Sequence, residues 1–198
     1  MKADVLITGV GGQGIILASD VLGEVAIADG YDVKKTDTIG MAQRGGSVIS
    51  HVRIADKVYS PLIKKGTADI LLAFEKLEAA RWADYLKKDG IAIVNNHALP
   101  PLSVSMGTDR YPSDEEILAI LKAHTDRIYI VEGNKRAQEL GNIRTLNVFM
   151  LGCLSRFLAL KAETWREGII QRLPQKVQQI NLNAFELGRK ETGHGNLS

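Results

Sequence analysis

The 198-residue sequence contains one cysteine, Cys153. A single thiol excludes an internal disulfide. It equally excludes a cysteine-ligated zinc site or an iron–sulfur cluster held by this chain alone. It fits a reducing compartment, so a cytoplasmic setting is expected. An excess of charge of one sign is missing too. Lys and Arg number 25 against 23 Asp and Glu, a net charge of +2. That balance supplies neither a basic stripe for nucleic acid nor a cationic face for a membrane surface. No apolar run reaches the roughly 20 residues a membrane helix needs. The start enters a strand pattern at once, without a basic stretch and a cleavable apolar run, so no leader is expected. Proline is sparse: three of the five, Pro100, Pro101 and Pro112, fall within 96–112.

What is present is an alternation of short apolar runs with helical periodicity. Residues 3–8 read as a buried parallel strand ending at Gly9. A helix over 12–29 follows, then a strand over 31–36 and a glycine-rich loop over 37–46. An extended stretch covers 47–54, and Tyr59 is read as the start of a shorter one. Strands are expected at 68–74 and 90–95, with a helix over 75–86 between them. Residues 96–112 read as loop or edge structure. Ser113 and Glu116 form a capping box that opens a helix to about Ala123, and 127–131 is a last strand. Residues 143–160 are apolar nearly all round, which predicts a helix buried on most sides. Thr164 with Glu167 reads as a second capping box, and a final helix follows Pro174. The closing ETGHGNLS reads as a frayed end. The expected fold is α/β, doubly wound on a mostly parallel sheet with extra C-terminal helices. One domain spans 1–198, with a core over about 3–135 and a helical layer over about 136–190.

The chemistry concentrates in two glycine loops. Asp4 to Leu17 reads DVLITGVGGQGIIL, in which Gly9, Gly11 and Gly14 make a G-x-G-x-x-G between a strand and a helix. Such glycines let backbone turn tightly and approach a ligand, while first-turn amides attract negative charge. Gly12 adds freedom, and the Gln13 amide offers a donor and an acceptor to a ligand or a neighbouring loop. One reading is a dinucleotide site, with Asp37 near the place where an acid would hold ribose hydroxyls. The other is tight packing of the first helix on the sheet. The second loop, TDTIGMAQRGGS from Thr36 to Ser47, follows the second strand and so belongs at the same sheet edge. There Thr38, Gly40, Gln43, Arg44, Gly45 and Gly46 combine a planar cation with exposed amides. They suit phosphate, carboxylate or an acidic partner loop. Alternatively Arg44 pairs with an internal acid and only fixes the loop.

ITGVGGQGIILAS, DTIGMAQRGGSVISHVR and ADILLAFEKLEAAR together resemble the gamma-type subunit or domain of the 2-oxoacid:ferredoxin oxidoreductases, from about residue 3 to about residue 190. Pyruvate-type relatives carry Tyr-Gly-Pro-Glu-x-Arg-Gly-Gly in the second loop. Here Gly40 to Gly46 replaces it, with Gln43 near the family's Glu, which favours the indolepyruvate branch. The resemblance implies a Rossmann-like subunit of an enzyme that oxidatively decarboxylates an aryl 2-oxoacid to an aryl-acetyl-CoA while reducing ferredoxin. It also implies a large alpha subunit bearing thiamine diphosphate and the iron–sulfur clusters. This chain has no Gly-Asp-Gly, and Asn95-Asn96 follows Asp89-Gly90 too closely for a thiamine signature. It is therefore expected to hold no cofactor alone and to be inactive in isolation, with CoA at the subunit interface against the two glycine loops. No catalytic residue and no metal ligand is expected on it. A stand-alone NAD(P)- or flavin-dependent oxidoreductase and a non-catalytic nucleotide-binding assembly module stay open as alternatives.

The other candidates are weaker. His51 reads as a buried, hydrogen-bonded histidine, His97 as a strand-end residue near a binding edge, and His124 and His194 as surface. Cys153, in an apolar helix, reads as an inert buried thiol. Glu75 either favours a helix N-terminus or meets ligand, and Trp82 and Trp165 read as core or interface anchors.

Overall fold

The computed structural model describes residues 1–40 and 45–192. Six strands form one sheet in the order β2-β3-β1-β4-β5-β6. They are β1 (Ala3–Val10), β2 (Asp32–Ile39), β3 (Ser47–Ala55), β4 (Ala68–Ala73), β5 (Leu86–Asn95) and β6 (Arg127–Val131). β1, β4, β5 and β6 run parallel to their neighbours in that block. β3 is antiparallel to both β1 and β2. The sheet is thus mostly parallel, with a hairpin on one side that a loop reading of 37–46 does not reveal. β2 is polar (DVKKTDTI) because it is an edge strand with no buried residue. The apolar pattern therefore underestimates its length.

Period-two alternation divides the core into two layers. Val5 and Ile7, Ile70 and Leu72, and Ile91 and Ile93 face one side. There they meet α1 (Ile15–Ala28), α6 (Leu146–Ser155), α7 (Ala162–Arg172) and α8 (Gln175–Glu191). Leu6, Leu71, Ala92 and Val94 face the other side, against α2 (Lys76–Arg81) and α4 (Asp114–Lys122). Covering both faces is what lets the strand centres, residues 5–7, 70–73 and 91–94, be apolar without interruption. Two shorter helices, α3 (Leu102–Ser105) and α5 (Gly133–Glu139), follow β5 and β6 respectively.

Several expectations need correction. The helix over 75–86 is two pieces, α2 and a 3-10 turn over Ala83–Tyr85, and β5 already begins at Leu86. Ile143–Thr145 is a 3-10 turn, and α6 stops at Ser155, so the 143–160 helix is shorter than its apolar run. Tyr59 starts no strand and is 89% exposed. The capping box at Ser113 and Glu116 forms as expected, and Arg110 first, then the Ser113 amide, hold the Glu116 carboxyl down to about 2.

The Thr164–Glu167 box does not form, because Thr164 lies inside α7, whose N-cap is Lys161. The cap comes instead from Asp29, at the end of α1. Its Oδ2 accepts the Lys161 N–H at 2.7 Å, and its Oδ1 accepts the Thr164 hydroxyl at 2.6 Å, across 135 residues. Burial raises the Asp29 pKa, but hydrogen bonds from Thr164 and Lys161 outweigh it, and the net shift is downward from 3.8. The stabilisation is therefore complete above the unfolded value and is lost as pH falls through the lower folded value. Asp29→Ala is expected to cost about 1 kcal/mol at pH 7. Urea unfolding at pH 7 and pH 3 checks this, because the gap between wild type and variant should narrow in acid.

Candidate functional site

The first glycine loop begins inside β1. Gly9 has no room for a side chain: a Cβ there would lie 2.7 Å from Gln13 Oε1 and 2.9 Å from Phe74 Cβ. Gln13 folds inward. Its Oε1 accepts the Val10 N–H at 2.8 Å and its Nε2 donates to the Phe74 carbonyl at 3.3 Å. The amide thus serves a neighbouring segment, the chain just past the end of β4. Gly14 caps α1 in the left-handed region (φ 82°) without a side-chain cap, and its Cα faces Asn147 of α6. The first-turn amides of α1 consequently have no intrahelical partner. Gly12, also at positive φ (104°), has open space where a Cβ would be.

The two loops meet, as their shared sheet edge requires. The Gly11 N–H donates to the Gly46 carbonyl at 2.9 Å, and the Gly40 N–H to the Ser47 carbonyl at 3.0 Å. Thr38 pairs with Ile49 within the hairpin, and Gly45 is at φ 81° with open space beside it. Gln43, Arg44 and His194 lie outside the described residues.

Asp37 does not reach the first loop. β3 separates β2 from β1, and Asp37 pairs with Ser50, whose partner on β1 is Ile7. Its carboxylate accepts the Ser50 hydroxyl at 2.6 Å and binds Lys35 at 2.9 Å. Burial pulls the Lys35 ammonium down, but Asp20 and Asp37 outweigh it, so its pKa lies above the ordinary lysine value. An acid already committed to a cation and a hydroxyl two strands away is no ribose ligand.

A groove of about 740 Å³ opens at the carboxyl end of β1. Gly11, Gly12, Gln13 and Gly14 form one wall. Gly9, Thr38, Gly40, Gly45 and Gly46 do not line it. Opposite stand Arg144 from the 3-10 turn before α6 and Lys176 from the first turn of α8. Both are exposed, and neither joins an ion pair among the described residues. No Asp or Glu is among the described lining residues. Asn134 and Asn147 add amides, and Leu17, Leu99 and Val177 an apolar side. Sequence reasoning missed Arg144 and Lys176, which sit outside any glycine motif. The only hint was the polar string Gly141-Asn142-Ile143-Arg144 ahead of an apolar helix.

His97 also lines the groove, on a segment held by α2. The Lys76 N–H donates to the His97 carbonyl, and Glu75 Oε1 accepts the Leu99 N–H at 3.0 Å. Glu75 is the N-cap of α2, so its helix role holds. Burial first, then the Glu75 carboxylate, push the Tyr111 phenol up. His51 is buried and its Nδ1 accepts the Ile63 N–H at 3.2 Å. Burial lowers its pKa against the pull of Asp37. Cys153 is fully buried, and that burial pushes its thiol well up, away from reactivity. Trp165 is core, and Trp82 stacks at a tilt on Tyr85. Among the described residues no cluster of His, Cys, Asp and Glu could hold a metal, and no helix is long and apolar enough to cross a membrane.

A family profile described as pyruvate ferredoxin/flavodoxin oxidoreductase matches residues 4–191. The chain is similar to the indolepyruvate oxidoreductase subunit IorB of Pyrococcus horikoshii, 42% identical over 190 residues and covering 94% of each. The Thermococcus kodakarensis subunit of the same name is 41% identical, again over 94% of each. The fold matches a solved 2-oxoglutarate:ferredoxin oxidoreductase from Magnetococcus marinus with 2-oxoglutarate, coenzyme A and succinyl-CoA bound. That match has a TM-score of 0.79 and 21% identity, over all of this chain and 32% of the other.

Proposed function

Since the chain belongs to the pyruvate ferredoxin/flavodoxin oxidoreductase family, we propose that it is the small, thiamine-free subunit of an enzyme for indolepyruvate and related aryl 2-oxoacids. The reaction is oxidative decarboxylation with CoA, giving an aryl-acetyl-CoA and carbon dioxide, with the electrons passing to ferredoxin. Indolepyruvate is supported by the names of the relatives at 41–42% identity. The whole chain works as one gamma-type unit in the cytoplasm, beside a large alpha subunit. One buried cysteine does not fit an iron–sulfur cluster, so the clusters and thiamine diphosphate belong to that partner.

The groove is this chain's share of the work. It binds the phosphates of CoA at the boundary with the partner. The observation that carries this is a glycine-lined helix N-terminus facing Arg144 and Lys176, with no acid among the described lining residues. The amides of α1 and the loop attract phosphate oxygens without a side chain in the way. Arg144 offers a planar fork and Lys176 a point charge. The apolar side takes the uncharged arm, and Gln13 holds the loop in shape, its amide already bonded to Val10 and Phe74. Gly46 backs the first loop from the hairpin, its carbonyl accepting the Gly11 N–H.

The test is turnover of the assembled enzyme with CoA and with pantetheine, which lacks the phosphates. Pantetheine is expected to need at least roughly 100-fold higher concentration, the value of two lost charge-assisted contacts. Equal requirements would remove the groove from the phosphate role. Reduction of ferredoxin with 2-oxoglutarate but not indolepyruvate would overturn the substrate assignment.

A further inference from the structure

Glu78 is 2% exposed in the first turn of α2, a short helix whose N-cap is already supplied by Glu75. A carboxylate taken out of water is costly unless every oxygen finds donors. Here the donors come from three elements. Arg81 donates to Oε1 at 2.6 Å. Oε2 accepts from the Ser47 hydroxyl, from the Trp82 indole N–H at 3.3 Å and from the Thr8 hydroxyl at 3.5 Å. Helix formation does not need this arrangement. It ties α2 to β1 and to the first residue of β3.

Ser47 is where the second glycine loop closes. Its carbonyl accepts the Gly40 N–H, and the preceding carbonyl, of Gly46, accepts the Gly11 N–H. A continuous path therefore runs from Glu78 through Ser47 to the described ends of the hairpin and on to the first loop. Glu78 does not line the groove. We infer that Glu78 is a positioning residue, which fixes the paired glycine loops through Ser47 and so sets the shape of the anion-binding wall. The link to CoA rests on the function proposed above, whereas the link to the loops does not.

The experiment uses the assembled enzyme carrying Glu78→Gln or Ser47→Ala. Gln keeps the size and one acceptor but loses the charge, and Ser47→Ala removes only the tie to the hairpin. Amide hydrogen exchange at Gly11 and Gly40 is expected to quicken about tenfold in both variants, from loss of one charge-assisted bond, while β4 and β5 stay protected. In the same preparations the KM for CoA should rise severalfold, with kcat and the KM for the aryl 2-oxoacid unchanged. Unchanged exchange at both glycines in Ser47→Ala would overturn the inference, even if Glu78→Gln fails to fold. Faster exchange with an unaltered KM for CoA would uphold the positioning role and instead count against CoA at this groove.

Discussion

Gly188→Ala is expected to destabilise the protein by about 3 kcal/mol or more, lowering the thermal midpoint by roughly 6–12 °C. Gly188 lies on α8 where that helix crosses α6. A Cβ there would sit 2.1 Å from the Phe149 carbonyl oxygen and 3.0 Å from the Cys153 nitrogen. The contact is reciprocal: a Cβ on Gly152 of α6 would meet the Phe185 carbonyl at 2.2 Å. Both targets are backbone, so no side chain can swing aside, and the helices must separate. Every residue of α6 is buried, so separation opens the core. Helix propensity pulls the other way, because alanine is favoured over glycine by about 1 kcal/mol in a helix interior. The steric term is larger, and the sign of the change decides between them. Urea and thermal unfolding measure it, and a stabilised variant would refute the close packing of α6 on α8.

The Arg144→Ala, Lys176→Ala double variant is expected to weaken the apparent affinity of the assembled enzyme for CoA by about 100-fold. In the proposed role each cation supplies one charge-assisted contact, taken at the lower end of about 1.5 kcal/mol because both side chains are exposed. Since neither holds an ion pair among the described residues, stability should change by no more than about 0.5 kcal/mol. That separation makes the experiment clean. Added salt should weaken CoA binding by the wild type more than by the variant, because screening acts on the contacts the variant has lost. Unaltered affinity in the double variant would place CoA elsewhere. Each single variant should lie near tenfold.

Much of the sheet was legible because its central strands are buried on both faces, so ADILLA and GIAIVN announce themselves by composition. The hairpin was not. β2 reads as a strand only over 31–36, and its polar end from Asp37 to Ile39 runs into a glycine-rich stretch, so that end resembles loop and the antiparallel pairing with β3 goes unseen. The same limit produced the misplaced capping box. Thr164 and Glu167 match the pattern, but the group that caps α7 is Asp29, which only the folded chain brings near. The first glycine loop was legible as a tight strand-to-helix turn, though Gln13 proved to be occupied by the backbone of Val10 and Phe74. Arg144 and Lys176 could not be found from spacing. They are separated by more than a helix in sequence and converge only when α8 docks.

That docking also orders events in time. Lys176 and Val177 belong to α8, which spans Gln175–Glu191 and is synthesised after every other element of the groove. Translation delivers the glycine loop first and its opposite wall last. A nascent chain therefore displays the amides of α1 long before the groove exists, and the groove takes shape only once α8 has been made and docks. The groove therefore matures only with the docking of α8.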